Sequence, residues 1–316
     1  MLEALFFLGR GRSFRSGQTS TLIQTGAAGF TIYAEVASGA SAQRLGVRAT
    51  GAGLEIHVDG ETGVKSDLAA GLPVQVIEPQ IHDLIQGGPQ NRRRFLDWGV
   101  FHVKHEFLDA WRRYRRALQQ RNSALRAGNS RDSVRVWDQE LIESGNSVDS
   151  FRRAYLDLFQ PALGRLSDQL LGLPAQIRYQ AGWSADREFA AALEASWDRD
   201  QAVRSTQVGP HRAELAIELQ DQPARHRLSR GQQKLLAAAL VLAQSEFVAL
   251  SADREVALLV DEPAAELDAD HLHALISALP RPGLQLFFSA LTPDALPLSE
   301  DTRKFHVEHG EVTTLL

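Results

Sequence analysis

The stretch Val256-Ala257-Leu258-Leu259-Val260-Asp261-Glu262 decides the fold. Five apolar residues in a row predict a buried strand, and it delivers two adjacent carboxylates at its C-terminal end. In open α/β sheets ligands bind off the carboxyl ends of the strands, so both acids fall where chemistry is done. Around this run the pattern alternates: a strand over 213–217, a helix over 229–250, a helix over 264–279, a strand over 284–288, and a final strand pair near Phe305 and Val312. Strands alternating with helices predict a parallel or mixed sheet covered by helices.

The first two thirds of the chain read differently. Between 30 and 59 the apolar positions alternate (Phe30, Ile32, Ala34, Val36; Leu45, Val47; Leu54, Ile56, Val58) and glycines punctuate them, which predicts a small antiparallel sheet of hairpins. A further strand over 74–77 ends before Pro79. Beyond Arg92 the period becomes helical. Long amphipathic stretches over 106–126 and 133–171 predict a short antiparallel arm, with a kink or break at Pro161. A strand over 175–179 and a helix over 188–197 follow. The expected organisation is 1–100, the first part of a nucleotide-handling head; 101–203, a helical arm lobe; and 204–316, the second part of the head.

Composition bounds the setting. With 316 residues the chain can bury a sizeable core as one large domain with an insertion, or as two. The absence of cysteine excludes disulfides and thiolate metal sites, and a cytosolic setting fits best. No run approaches the roughly 20 apolar residues of a membrane span, so no membrane is expected. Net charge is −5, which repels a polyanion if spread evenly. Only Lys65, Lys104, Lys234 and Lys304 are lysines, so nearly all positive charge is arginine, whose planar fork grips phosphates and carboxylates. Clusters stand at Arg92, Arg93, Arg94 and at Arg112, Arg113, Arg115, Arg116. A solvated helix face and a nucleic-acid patch are both open readings of them.

The carboxylate pair carries the chemistry. Asp261 would hold Mg²⁺, directly or through water, and Glu262 would orient or deprotonate an attacking water. Upstream lies Leu228-Ser229-Arg230-Gly231-Gln232-Gln233-Lys234, then a run of good helix formers. Ser229 can cap that helix, Gly231 lets a ligand approach the backbone, and the free N–H groups of the first turn make an anion site. Just past the strand comes Glu266-Leu267-Asp268.

In that order and spacing, a capped Ser-x-Gly-Gln turn, an apolar strand ending Asp-Glu and a following Leu-Asp resemble the signature, Walker B and D-loop motifs of the ABC ATPase superfamily. Three further segments narrow the resemblance: Gly9-Arg10-Gly11-Arg12-Ser13-Phe14-Arg15, Gly88-Pro89-Gln90-Asn91-Arg92-Arg93-Arg94-Phe95-Leu96-Asp97 and Gly209-Pro210-His211-Arg212-Ala213-Glu214-Leu215. With the arm stretch Leu118-Gln119-Gln120-Arg121-Asn122, they look like characteristic segments of the RecF family.

The resemblance implies an α/β fold, an ABC-type ATPase head with a mixed sheet and flanking helices, plus an inserted short antiparallel helical arm lobe. It implies a DNA-repair ATPase that dimerises around two ATP molecules, binds DNA as a dimer, and acts with RecO and RecR in recombinational and replication-gap repair and SOS induction. Carried onto this sequence, Ser229, Gly231, Gln232 and Lys234 would meet the nucleotide held by the other protomer, and Asp268 would reach across as the D-loop acid. Ser289 takes the place of the switch residue, where ABC transporters usually carry histidine. Arg92, Arg93 and Arg94 are candidate contacts to the DNA backbone, a buried arginine paired with Asp97 being the equally good alternative.

The family pattern also has a Gly-rich loop ending Gly-Lys-Thr or Gly-Lys-Ser, and no G-x-x-x-x-G-K-[ST] occurs among these residues. Residues 1–5 look like the helix after that loop, joined in progress. The reading is a start internal to a longer gene, or else a truncated copy with impaired nucleotide binding. An ABC transporter ATPase subunit is the alternative of a different class, with the arm, the Arg230 and Lys234 form of the signature and the absent switch histidine against it. An SMC-like structural protein would need a far longer coiled coil.

Overall fold

The computed structural model describes residues 1–38, 41–265, 267–292, 295–299, 302–308 and 310–315. In chain order, helix α1 (Leu2–Arg10) precedes strands β1 (Gly29–Ser38), β2 (Ser41–Thr50), β3 (Gly53–Val58) and β4 (Glu61–Thr62). Helix α2 (Lys65–Gly71), β5 (Val74–Ile77), α3 (Asp83–Gln86), α4 (Pro89–Val103), α5 (Phe107–Arg126), α6 (Arg131–Arg135) and α7 (Asp138–Leu171) follow. Next come β6 (Ala175–Gln180), α8 (Phe189–Ala195), α9 (Trp197–Val203), β7 (Glu214–Leu219), β8 (Gln222–Pro223), α10 (Ala224–Arg227) and α11 (Arg230–Ala252). The chain closes with β9 (Val256–Asp261), α12 (Ala269–Ala278), β10 (Leu284–Ser289), β11 (Lys304–Glu308) and β12 (Glu311–Leu315).

Contacts divide the chain into two units, 1–81 with 253–316 and 82–252. Residues 82–100 and 204–252 thus fall in one unit with the arm helices. In the first unit β1 to β4 form an antiparallel meander, as the alternation predicts. The deciding strand β9 is buried at every position and lies between β10 and β5, parallel to both, with Val256 opposite Leu284 and Ala257 opposite Val74. Phe6 of α1 packs with Val74, Ala257 and Leu259 over this sheet, so the α1 face that leads to the Gly9–Arg15 segment is anchored on β9 itself.

The second unit is built on three long helices. Helices α5 and α7 run antiparallel: Phe107 meets Phe151, Arg113 pairs with Glu140, and Arg121 pairs with Asp138. The expected break at Pro161 is not there, and α7 continues through it. Proline forfeits one backbone hydrogen bond, but Pro161 lies on the exposed side while Phe159 and Leu163 on either side are fully buried, and that packing outweighs the loss. Helix α11 is long and apolar enough to cross a bilayer by length and composition, yet 78% of its apolar window is buried inside the protein, as befits a core helix.

Candidate functional site: a carboxylate pair and a capped helix start

At the C-terminal end of β9 the Asp261 carboxylate is 5% exposed and fully engaged. Arg15 Nη2 donates to both of its oxygens at 2.9 and 2.7 Å, and Ser289 Oγ donates to Oδ1 at 2.7 Å. The same Ser289 hydroxyl accepts from the Glu262 backbone N–H at 3.0 Å. Glu262 has φ +48°, a left-handed conformation that a non-glycine residue adopts only where its surroundings hold it. One hydroxyl therefore ties the first carboxylate to the backbone that aims the second. The short segment before it is held too: Ser13 Oγ donates to Glu3 and accepts from the Arg15 N–H.

The ion pair raises the Arg15 pKa, the hydrogen bond to Asp261 being the largest cause. Sequence reading gave Arg15 no role. Its partner lies 246 positions away, and the only local signal is a guanidinium one short turn beyond a helix that packs on β9.

The second element belongs to the other unit. Ser229 and Gln232 close a reciprocal capping box at the start of α11: Gln232 N–H donates to Ser229 Oγ at 3.3 Å, and Ser229 N–H donates to Gln232 Oε1 at 3.1 Å. Ser229 is exposed, and a Cβ added at Gly231 would meet nothing within 4 Å. The chain's own packing therefore makes no demand for glycine there. Lys234 departs from the expected placement: it is 8% exposed, and burial, with the nearby Arg230 charge, pushes its pKa down. The turn thus offers Ser229, Gly231 and Gln232 outward, and Lys234 is directed into its unit.

Asp268 caps α12, accepting from the His271 N–H at 2.9 Å and lying 2.6 Å from its Nδ1; these bonds hold its carboxyl below the usual range. It is 65% exposed. Glu266, quoted with it above, lies outside the described residues.

The arginine triplet resolves unevenly. Arg92 is 6% exposed and makes a two-point pair with Glu214 at 2.8 and 2.9 Å, besides a bond to Gly87 O at 2.7 Å. This corrects the expectation of a DNA contact there, because a buried guanidinium with its donors committed has nothing left for a phosphate. Arg93 donates to Ala213 O at 2.7 Å, and Arg94 alone of the three is exposed. Asp97 is paired with Arg152, at 2.8 Å. The segments 88–97 and 209–215, quoted separately from the sequence, are thus partners in one internal network.

His211 belongs to that network. Its Nε2–H donates to Thr206 O at 3.0 Å, so Nδ1 accepts from the Tyr114 hydroxyl at 2.5 Å and the ring is neutral. Burial, only partly offset by the bond to Thr206, lowers its pKa from 6.5 to about 4. The unfolded chain binds the proton more readily, so this contribution to stability is complete above pH 6.5 and falls away as the pH drops toward 4. Between pH 7.5 and 4.5 the expected loss is about 2–3 kcal/mol. Urea unfolding at the two pH values checks it: His211→Asn should remove that part of the difference, and an undiminished difference would refute it.

Comparison with known proteins follows the same lines. The family model described as RecF/RecN/SMC N terminal domain matches residues 1–314. The DNA replication and repair protein RecF of Shewanella baltica (strain OS223) is 38% identical over 100% of this chain and 89% of its own length, and that of Shewanella oneidensis gives the same figures. Among solved structures, a recombination mediator protein RecF of the RecFOR pathway, in complex with ATP, superposes with a TM-score of 0.88 at 23% identity, covering 100% of this chain and 87% of that one. The Smc head domain of Pyrococcus furiosus gives 0.52 at 13% identity, over 99% and 86% of the two chains. These likenesses bear out an α/β head of the ABC and SMC type.

Proposed function

Since the chain belongs to the RecF family and is a DNA replication and repair protein of that type, we propose that it is an ATP-gated DNA-binding protein working in recombinational and gap repair, in the cytoplasm, with RecO and RecR. The observation that carries this reading is the Ser289 hydroxyl holding the Asp261 carboxylate and the Glu262 amide together at the end of a parallel strand.

The donors fit the expected group. Mg²⁺ is usually held by one or two carboxylates, with water and phosphate oxygens completing its shell, and one carboxylate beside a hydroxyl is such a set. Asp261 already carries a cationic partner in Arg15, whose side chain is 55% exposed and can withdraw from it. When bound, Mg²⁺ and ATP supply a γ-phosphoryl group with its charge neutralised. Glu262 then orients and deprotonates the attacking water, its aim set by Ser289. From a second protomer, Ser229 and the Gly231 amide at the start of α11 meet the γ-phosphate, with the helix N-terminus adding its partial positive charge. Asp268 stands at the same interface. Dimerisation then depends on nucleotide, and DNA affinity on dimerisation.

No Gly-rich Gly-Lys-Ser/Thr loop occurs in these 316 residues. We therefore expect them by themselves to bind ATP weakly, and nucleotide tests are set on the chain fused to a segment that supplies a Gly-x-x-x-x-Gly-Lys-Ser/Thr loop. With ATP the fusion should bind DNA at least about tenfold more tightly than without. Ser229→Arg, which places a bulky cation at the protomer contact, should leave DNA affinity indifferent to ATP. Equal ATP dependence in Ser229→Arg and its parent would refute the proposal.

A further inference from the structure

Helix α5 has an outer face that the proposed nucleotide site does not use. Its inner face is set by Phe107, Ala110, Tyr114, Ala117, Arg121 and Ala124, all buried. At 3.6 residues per turn the opposite side carries Arg112, Arg115, Arg116, Gln119, Ser123 and Arg126, every one of them exposed. Four guanidinium groups thus share one stripe that rises about 21 Å along the helix axis. Within it there is no acid. Asp109 stands at one edge, 3.9 Å from Arg112, and the α7 acids Glu140 and Glu143 lie beyond the same edge, where Arg113 meets them.

Two details give the stripe a direction. Arg115 lies over the Trp111 ring at 4.6 Å, and the indole N–H is fixed by Asp97, so that guanidinium is held against its helix with its edge outward. The side chains of Arg116 and Arg126 make no ion pair or hydrogen bond among the described residues, which leaves their forks available. The chain's net charge is −5, so this face stands out against the average field. A row of arginines suits a regular polyanion. Trp111 is covered by Arg115, and the stripe offers no bare aromatic platform on which unpaired bases would stack.

We propose that the outer face of α5 is a contact surface for the phosphate backbone of duplex DNA, read without regard to sequence. The proposal rests on the DNA-binding reading above and moves its contacts from the Arg92–Arg94 triplet, whose first member is buried, to Arg112, Arg115, Arg116 and Arg126.

The test uses the loop-bearing fusion with ATP and Mg²⁺ and a labelled duplex of about 30 base pairs, followed by fluorescence anisotropy between about 50 and 200 mM NaCl. The triple variant Arg112→Gln, Arg116→Gln, Arg126→Gln is compared with a control that removes the same charge elsewhere, Arg44→Gln, Arg48→Gln, Arg187→Gln. Each backbone contact contributes about 0.9 to the slope of log affinity against log salt, so the stripe variant should flatten that slope by about 2.7 and weaken binding at least about tenfold. Slope in the control should change by less than about one. Exposed side chains are replaced in both, and unchanged circular dichroism verifies the fold. A stripe variant that behaves like the control overturns the surface and leaves DNA binding standing. A parent fusion that binds no duplex at about 50 mM salt with ATP present overturns both.

Discussion

Arg121→Met should cost about 3–5 kcal/mol of stability, the largest loss expected of any single replacement in the helical unit. Arg121 is 1% exposed; its Nε donates to Asp138 at 2.8 Å, and its Nη1 to Asp200 at 2.7 Å and Thr206 Oγ1 at 2.9 Å. Asp200 is fully buried and accepts besides from the Gln207 N–H at 2.9 Å. Asn122, next in sequence, accepts from both the N–H and the hydroxyl of Thr206 at 2.7 Å. The network therefore joins α5, α7, α9 and the segment around Thr206. Removing the guanidinium strands a carboxylate that has no water to turn to, and the cost is that of an uncompensated buried charge. Methionine keeps most of the volume, which separates charge from packing. Adding Asp200→Leu should recover part of the loss, because a buried pair replaced whole by apolar groups is often neutral. Urea denaturation of the single and double variants reads this directly, and a single variant as stable as wild type would contradict it.

The largest functional effect is expected at Glu262. Glu262→Gln in the loop-bearing fusion should lower ATP turnover by about 10²–10⁴, the usual worth of a positioned general base, while ATP-dependent association persists. The geometry separates the two carboxylates. Asp261 is buried and engaged from two sides, whereas Glu262 is half-buried on a left-handed backbone. Loss of association together with turnover would mean that Glu262 acts in binding rather than on the water. Phosphate release and light scattering on one sample distinguish the outcomes.

Much of this architecture was legible in the sequence because its signals are local. The apolar run 256–260, the alternation over 30–59 and the Ser229 helix start each appear where side-chain period and capping chemistry require. What escaped reading was non-local. Nothing within a few residues of Val74 announces that it will pair with Ala257. For Arg92 the sequence leaves a DNA contact and a buried pair with Asp97 equally open; the partner it takes, Glu214, lies 122 positions away. Pro161 looked like a break because local propensity weighs against it, whereas the packing of Phe159 and Leu163 keeps the helix whole. Ser289 was placed at the switch position by resemblance alone, and only the folded sheet shows its hydroxyl joined to both members of the carboxylate pair.

Sedimentation of the loop-bearing fusion, with and without ATP and Mg²⁺, tests the central claim most directly. The account predicts monomers without nucleotide, dimers with it, and monomers in both conditions for Ser229→Arg. A mass that ignores ATP, or a Ser229→Arg variant that dimerises as its parent does, would contradict it.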